Sequence, residues 1–181
     1  MNFDATRQHA SNSHQPIIYS CAVDRYRNIP LTGRHRRAFL STPDTKENSL
    51  AGILPLSIGM KVVLTVNVCT NDGLANGAQG ILRQIVYGQD TIDRSCSRQG
   101  KTIVLREPPK YVVVELTSGS HGAYDGLPEN HVPICPTKLG CVRTIWHQGS
   151  KLTKRFQRFQ LPLTPAFAFT ESRENSSKNN R

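Results

Sequence analysis

LPLSIGMKVVLTVNVCTNDGLANGAQGIL, at residues 54–82, is the stretch that decides the fold class of this chain. Over residues 60–68 every second residue is apolar, which predicts a strand with one buried face. Asn, Asp and Gly residues at 71–73 and 76–77 tolerate left-handed backbone, so the chain can reverse there. A second strand is expected over residues 78–87.

Three residues of this stretch are predicted to have a structural role in the turn: Asn76, Gly77 and Gly80. The two glycines are expected to permit a tight backbone approach at the corner of a barrel. The alternative is a glycine-rich cradle for phosphate. The structural role is favoured, because the turn is required whatever the protein binds.

Further short strands follow at residues 101–105 and 111–117, separated by a Pro-Pro stop. Short strands that are separated by frequent Gly and Pro residues predict a small closed or partly closed β-barrel. Before the barrel, the basic cluster Arg34, His35, Arg36 and Arg37 lies in a predicted short helix at 34–40. That cluster is interpreted as a solvated helix face or linker, with DNA contact as the alternative.

Several motifs occur in an order that resembles one protein family. GMKVVLTVN, a short Asn/Asp/Gly loop and GLANGAQGIL are similar to the C-terminal half of the PIF-family, superfamily-one DNA helicases, which include Helitron-transposon helicases. PPKYVVVEL at 108–116, GLPENHVPICP at 126–136 and TKRFQRFQLPLTPAFAFT at 153–170 fall in the family's order and spacing. The resemblance covers roughly residues 17–170.

The resemblance implies a mainly β fold, in which a small Src-homology-3-like β-barrel is flanked by strands from an incomplete RecA-like α/β motor domain. Its last strands would lie at 132–138, 142–147 and 152–163, with Phe159, Leu161 and Leu163 pointing inward. The expected organisation is a disordered N-terminus at 1–15, a motor-domain strand and linker at 16–52, the barrel at 53–160, a return strand at 161–170 and a disordered tail at 171–181.

The complete helicases of this family use ATP and magnesium, but this chain lacks a complete phosphate loop. Gly100, Lys101 and Thr102 supply the end of such a loop, whereas Ser95 stands where its first glycine belongs, and a strand is expected to follow. The family's late DNA and ATP motif matches up to Thr170 and fails afterwards. We therefore expect no cofactor in this chain and no ATP hydrolysis by the chain alone.

The net charge of +10 and a pI of about 9.7 favour a polyanionic partner. At 154–159 basic residues are interleaved with Phe156 and Phe159, which could follow a phosphate backbone while stacking bases. A half-buried strand with a basic outer face explains this composition equally well, and the direction of Phe156 is ambiguous. The predicted nucleic-acid contacts are Lys61, Lys154, Arg155, Arg158 and Thr170.

Other classes of function find little support. The five cysteines form no C-x-x-C pair and their number is odd, which argues against a disulfide framework and a zinc site and favours an intracellular compartment. No nucleophile, metal or membrane motif emerges. Three hypotheses are retained: a truncated PIF-like helicase piece that guides single-stranded DNA beside the rest of its motor, a non-catalytic basic β-barrel that binds nucleic acid or protein, and an inert relic of a broken gene. The resemblance implies DNA repair and recombination in the nucleus, with mitochondria as the alternative.

Overall fold

The computed structural model describes residues 3–41, 50–88, 102–117, 123–124, 126–147 and 150–166. Within these ranges two α-helices accompany twelve mostly short strands. In chain order they are α1 (Phe3–Asn12), β1 (Ile17–Cys21), β2 (Val23–Tyr26), β3 (Ile29–Pro30), α2 (Gly33–Ser41), β4 (Ile53–Leu56), β5 (Lys61–Leu64), β6 (Gln79–Val86), β7 (Thr102–Leu105), β8 (Tyr111–Leu116), β9 (His131–Ile134), β10 (Thr137–His147), β11 (Ser150–Gln160) and β12 (Leu163–Pro165). The mainly β class is confirmed.

The strands form three sheets. Their orders are β4-β1-β7, β10-β11-β2-β3 and β12-β5-β6-β8-β9. All pairings are antiparallel except that of β1 with β7, which is parallel. In the described ranges each sheet is open, so closure into a Src-homology-3-like barrel is not confirmed.

The main core lies between the five-stranded and the three-stranded sheets. Apolar side chains from both sheets, from the segments beside them and from the start of β12 meet there, away from solvent. The largest fully buried ones include Ile18 of β1, Leu56 of β4, Leu64 of β5 and Leu82 of β6. Burial of this apolar surface is the main force that holds the two sheets together.

The strand predicted from residue 60 is shorter than its alternation suggests. Met60, Val62 and Leu64 are buried as expected, but Val63 is also buried and Val68 is 44% exposed. Strand β5 ends at Leu64, whose carbonyl accepts the Gly77 N–H at the start of the connection to β6. The period-two pattern therefore continues into a loop.

The expectation of a disordered N-terminus at 1–15 was wrong, because residues 3–12 form helix α1. Thr6 and Ala10 are buried, and the ring centroid of Phe3 lies 6.2 Å from that of Tyr19 on β1. The Arg7 side chain donates a hydrogen bond to the Tyr19 hydroxyl. Contacts with β1, which local sequence cannot reveal, thus stabilise a helix with little intrinsic pattern.

Strand β1 also has more partners than expected. One motor-domain strand and a linker were expected at 16–52, yet β1 lies between β4 and β7 and is contacted by α1. The helix predicted at 34–40 is confirmed as α2. The strands β4 and β7 lie within the range 53–160 that was expected to form the barrel, although both pair with β1.

Candidate nucleic-acid interface

The long hairpin of β10 and β11 carries most of the predicted contact residues. Each strand has 11 residues, and β2 pairs only with the part of β11 at Gln157, Arg158 and Phe159. Along β11 the side chains alternate: Arg155 and Gln157 are exposed, while Phe156, Arg158 and Gln160 are buried. The strand therefore presents two chemically different faces.

We call the exposed side of this sheet the outer face. Across the paired strands, Phe159 lies beside Lys138 and Val23, Gln157 lies beside Gly140 and Arg25, and Arg155 lies beside Val142. The outer face is defined by these residues: Val23, Arg25, Lys138, Gly140, Val142, Arg155, Gln157 and Phe159. None of them is acidic, and three are cations, so the outer face favours an anionic ligand.

Arg158 does not lie on the outer face. Its side chain is 1% exposed, and its Nε and a terminal nitrogen donate to the two carboxylate oxygens of Asp24 at 2.7 and 3.1 Å. It also donates to the carbonyls of Leu50 and Phe39. The structure thus corrects the expectation for Arg158, because a phosphate contact would require this buried network to open.

The two phenylalanines are also placed differently from the expectation. Phe156, whose direction was ambiguous, is buried, with its ring centroid 4.4 Å from that of Phe39 and 5.3 Å from that of Tyr26. Phe159 was expected to point inward, but it is half-buried on the outer face. On the inner face the Asp24 carboxylate pairs with Arg158, and Phe156 and Gln160 are buried on the same side of the strand.

Lys154 lies on the same side of β11 as Phe156 and is half-buried. Its Nζ is 4.9 Å from the centroid of the Tyr26 ring, and the guanidinium carbon of Arg27 is 5.4 Å from the same centroid. These are cation–π distances. The two cations and Phe156 therefore surround Tyr26, away from the outer face.

The remaining predicted contacts are dispersed. Arg155 is exposed on the outer face. Lys61 is exposed on β5, opposite Ile81, and thus belongs to the five-stranded sheet. Thr170 lies outside the described residues. The structure brings Arg155 together with Arg25 and Lys138 instead, two cations that the sequence reasoning missed.

The missed cations had only a weak signal in the sequence. Lys138, Gly140 and Val142 alternate with less exposed residues along β10, which is visible as a period of two. Arg25, however, is more than a hundred positions away from β11 and joins it only through strand pairing. Local pattern cannot reveal which distant strand completes a face.

The turn residues have clear local geometry. Gly77 has φ of 92°, a left-handed conformation, and donates its N–H to the Leu64 carbonyl. Asn76 donates its backbone N–H to the Oδ1 of Asn67 at 2.8 Å. A Cβ at Gly80 would collide with a Val114 methyl group and lie 2.6 Å from the Glu115 carbonyl oxygen. Gly77 is thus explained by its backbone conformation and Gly80 by its close packing against β8.

A second basic surface lies on α2, where Arg34, His35 and Arg37 are exposed. Arg36 donates a hydrogen bond to the Arg106 carbonyl just after β7. Phe39 of the same helix packs on Phe156. Since Phe156 is on the inner side of β11, α2 and its cations lie on the opposite side of the sheet from the outer face.

The end of the incomplete phosphate loop falls at the start of a strand. Thr102, the last residue of the incomplete phosphate loop, begins strand β7 and not a helix, while Gly100 and Lys101 lie outside the description. In the same ranges no group of three or more His, Cys, Asp or Glu side chains is arranged to hold a metal ion. No described helix is long and apolar enough to cross a membrane.

Among solved structures, this chain is similar to Pif1 helicases. The Candida albicans Pif1 helicase is 20% identical with a TM-score of 0.45, and the match covers 90% of this chain and 32% of that chain. Bacteroides Pif1 bound to ssDNA is 14% identical with a TM-score of 0.44, covering 91% and 28%. Bacteroides Pif1 in complex with ADP-AlF3 and ssDNA is 15% identical with a TM-score of 0.43, covering 92% and 28%.

This chain therefore spans about a third or less of the length of those helicases. No protein-family model and no curated protein sequence matches it.

Proposed function

We propose that this chain is part of a PIF-like DNA helicase, in which it guides single-stranded DNA and does not hydrolyse ATP alone. The sequence motifs at residues 54–82, 108–116, 126–136 and 153–170 support the family. The acid-free outer face, with Arg25, Lys138 and Arg155, is the structural observation that carries the DNA contact. Long-range attraction to phosphate is the physical reason.

In the complete helicase, the three-stranded sheet would belong to the RecA-like motor domain. The parallel pairing of β1 with β7 supports this proposal, because parallel strands are typical of α/β domains. The five-stranded sheet would form the Src-homology-3-like barrel. ATP, magnesium and the late motif that begins at Thr170 would act in the motor, and the complete protein would serve DNA repair or recombination in the nucleus.

The proposed contact set differs from the one that the sequence suggested. Arg155, Arg25 and Lys138 would contact phosphates from the outer face, and Lys61 would contact DNA from a separate sheet. Lys154 would contribute at the edge, beside Tyr26. Arg158 would act indirectly, since it fixes the orientation of β11 from inside the protein.

The test is fluorescence-anisotropy binding of the purified chain to a labelled single-stranded oligonucleotide across a salt series, with ATP hydrolysis followed in the same samples. If the outer face neutralises three phosphates, the logarithm of the binding constant falls by about 2 for each tenfold increase in salt. Absence of binding at low salt would overturn the DNA contact. DNA-stimulated ATP hydrolysis would overturn the proposal that the chain alone does not hydrolyse ATP.

A second candidate function is a non-catalytic basic β-module that binds nucleic acid or protein without a motor. The acid-free outer face supports this candidate equally, because it does not depend on the motor strands. Mixing the chain with the motor region of a PIF-like helicase distinguishes the two candidate functions. If the chain is a helicase part, it increases the rate of DNA-stimulated ATP hydrolysis by the motor region. If it is an independent module, that rate is unchanged.

A further inference from the structure

The outer face has one position without a side chain, Gly140 on the edge strand β10. Gly140 and Gln157 are paired across β10 and β11, and Arg25 lies on the other side of Gln157. A Cβ at Gly140 would have no heavy atom within 4 Å. The exposed carboxamide of Gln157 thus lies beside open space above the Gly140 backbone, and we call this uncovered position the gap.

An aromatic ring lies next to this gap. Phe159 follows Gln157 by two positions on β11, so both side chains are on the same side of the strand, about 7 Å apart at the backbone. The rings of Phe156 and Tyr26 are on the inner side, where Phe156 is buried and Tyr26 is in contact with Lys154 and Arg27. Among these three rings, Phe159 is the one that can meet a ligand on the outer face.

The chemistry beside the gap is suited to a nucleobase. A carboxamide has both donors and acceptors, which match the hydrogen-bonding edge of a base that is not paired. A phenylalanine ring stacks on the face of any base, and the cations Arg155 and Lys138 on either side can hold the flanking phosphates. Phosphate contacts alone would need neither the gap nor the ring.

We propose that the outer face binds an unpaired nucleobase over Gly140, with the base edge hydrogen-bonded by Gln157 and one base face against Phe159. This inference rests on the proposed function, since it concerns the same single-stranded nucleic acid. It adds that binding depends on bases and not only on charge. The bases of a duplex are already paired and stacked, so they are not expected to bind Gln157 and Phe159 in this way.

The test compares a labelled oligothymidine with an abasic oligonucleotide of equal length and charge, at one low salt concentration. The wild-type chain is expected to bind oligothymidine about tenfold more tightly, the effect of stacking one base. The variant Gly140→Thr fills the gap with a residue that strands accept, so it is expected to fold and to lose this preference while its affinity for the abasic oligonucleotide is unchanged.

Val142→Thr is the matched control, because Val142 is exposed on the same face of the same strand and one row away from the gap. It is expected to keep the tenfold preference. Gln157→Ala is expected to weaken oligothymidine binding only. Circular dichroism establishes that each variant is folded before binding is measured.

The outcomes distinguish the two proposals. Equal, salt-sensitive binding of both oligonucleotides by the wild-type chain would overturn the base site and support phosphate guidance. Absence of binding to either would overturn the proposed function together with the base site. A preference for oligothymidine that survives Gly140→Thr would overturn the position of the base over Gly140.

Discussion

Arg158 and Asp24 form a buried, two-point ion pair although they are 134 positions apart in the sequence. The Arg158 side chain is 1% exposed and the Asp24 side chain is fully buried. Because the same guanidinium also donates to the Leu50 and Phe39 carbonyls, one side chain joins β11, β2 and α2. The cost of desolvating two charges is offset by a nearly complete set of hydrogen bonds.

Replacement of Asp24 by alanine is expected to destabilise the fold by about 3–5 kcal/mol, because the Arg158 guanidinium would stay buried without its carboxylate. Urea unfolding followed by circular dichroism measures this change. Arg155→Met is the control, since Arg155 is exposed on the same strand, and it is expected to alter the free energy of unfolding by less than about 0.5 kcal/mol. An Asp24→Ala variant as stable as the control would contradict the structural role of the pair.

Removal of both charges is expected to be less harmful than removal of one. The double variant Asp24→Leu with Arg158→Met leaves no unpaired charge, although it gives up the bonds to the Leu50 and Phe39 carbonyls. We expect it to be at least about 1 kcal/mol more stable than the single variant Asp24→Leu. A double-mutant cycle in urea provides the comparison, and strict additivity of the single effects would show that the two side chains are not coupled.

Gly80→Ala is expected to destabilise the five-stranded sheet by about 1–3 kcal/mol, because the added methyl group would overlap Val114 and press against the Glu115 carbonyl on β8. The thermal midpoint of unfolding gives the measurement. Gly140→Ala is the matched control, since a Cβ there meets open space. Equal thermal midpoints for Gly80→Ala and Gly140→Ala would contradict the close approach of β6 to β8.

Gln160→Leu is expected to cost about 2–4 kcal/mol through unsatisfied buried polar groups. The Gln160 carboxamide accepts from the Ser20 hydroxyl and the Leu161 N–H and donates to the Ser20 carbonyl, which links β11 to β1. Amide hydrogen exchange is expected to increase in β1 in particular. Gln157→Leu, at an exposed position on the same strand, serves as the control and is expected to leave exchange in β1 unchanged.

Lys138→Gln is expected to make binding of single-stranded DNA less sensitive to salt, by about 0.7 in the slope of log affinity against log salt, if Lys138 contacts one phosphate. The matched control is Lys110→Gln, which removes the same charge from an exposed lysine just before β8. Anisotropy titrations at four salt concentrations give both slopes. Equal slopes for the two variants would place the phosphates away from the outer face.

Local patterns predicted much of the secondary structure. The strands β6, β7 and β8 and the helix α2 fall where alternation and turn residues indicated, because these features depend on neighbours within a few positions. Helix α1 was missed for the opposite reason. Its residues have weak amphipathic character, and its contacts with Tyr19 exist only once β1 is in place.

The candidate site was predicted only in part. The basic and aromatic composition of 154–159 was visible, but which of its residues face solvent was not. Alternation with Leu161 and Leu163 was expected to place Phe159 inward, with its even-numbered neighbours outward. Arg158 reverses that assignment, since Asp24 neutralises it inside the protein.

The sequence by itself determined that this chain is a mainly β, strongly basic protein with a tight Asn/Gly turn, because strand period, turn preference and charge are properties of neighbouring residues. Only the tertiary structure decided that Arg155, Gln157 and Phe159 are on the outer face and that Lys138 and Arg25 join them. The physical reason is that the direction of a strand's two faces depends on partners far away in sequence, such as the Asp24 carboxylate beside Arg158 and the Ser20 hydroxyl beside Gln160.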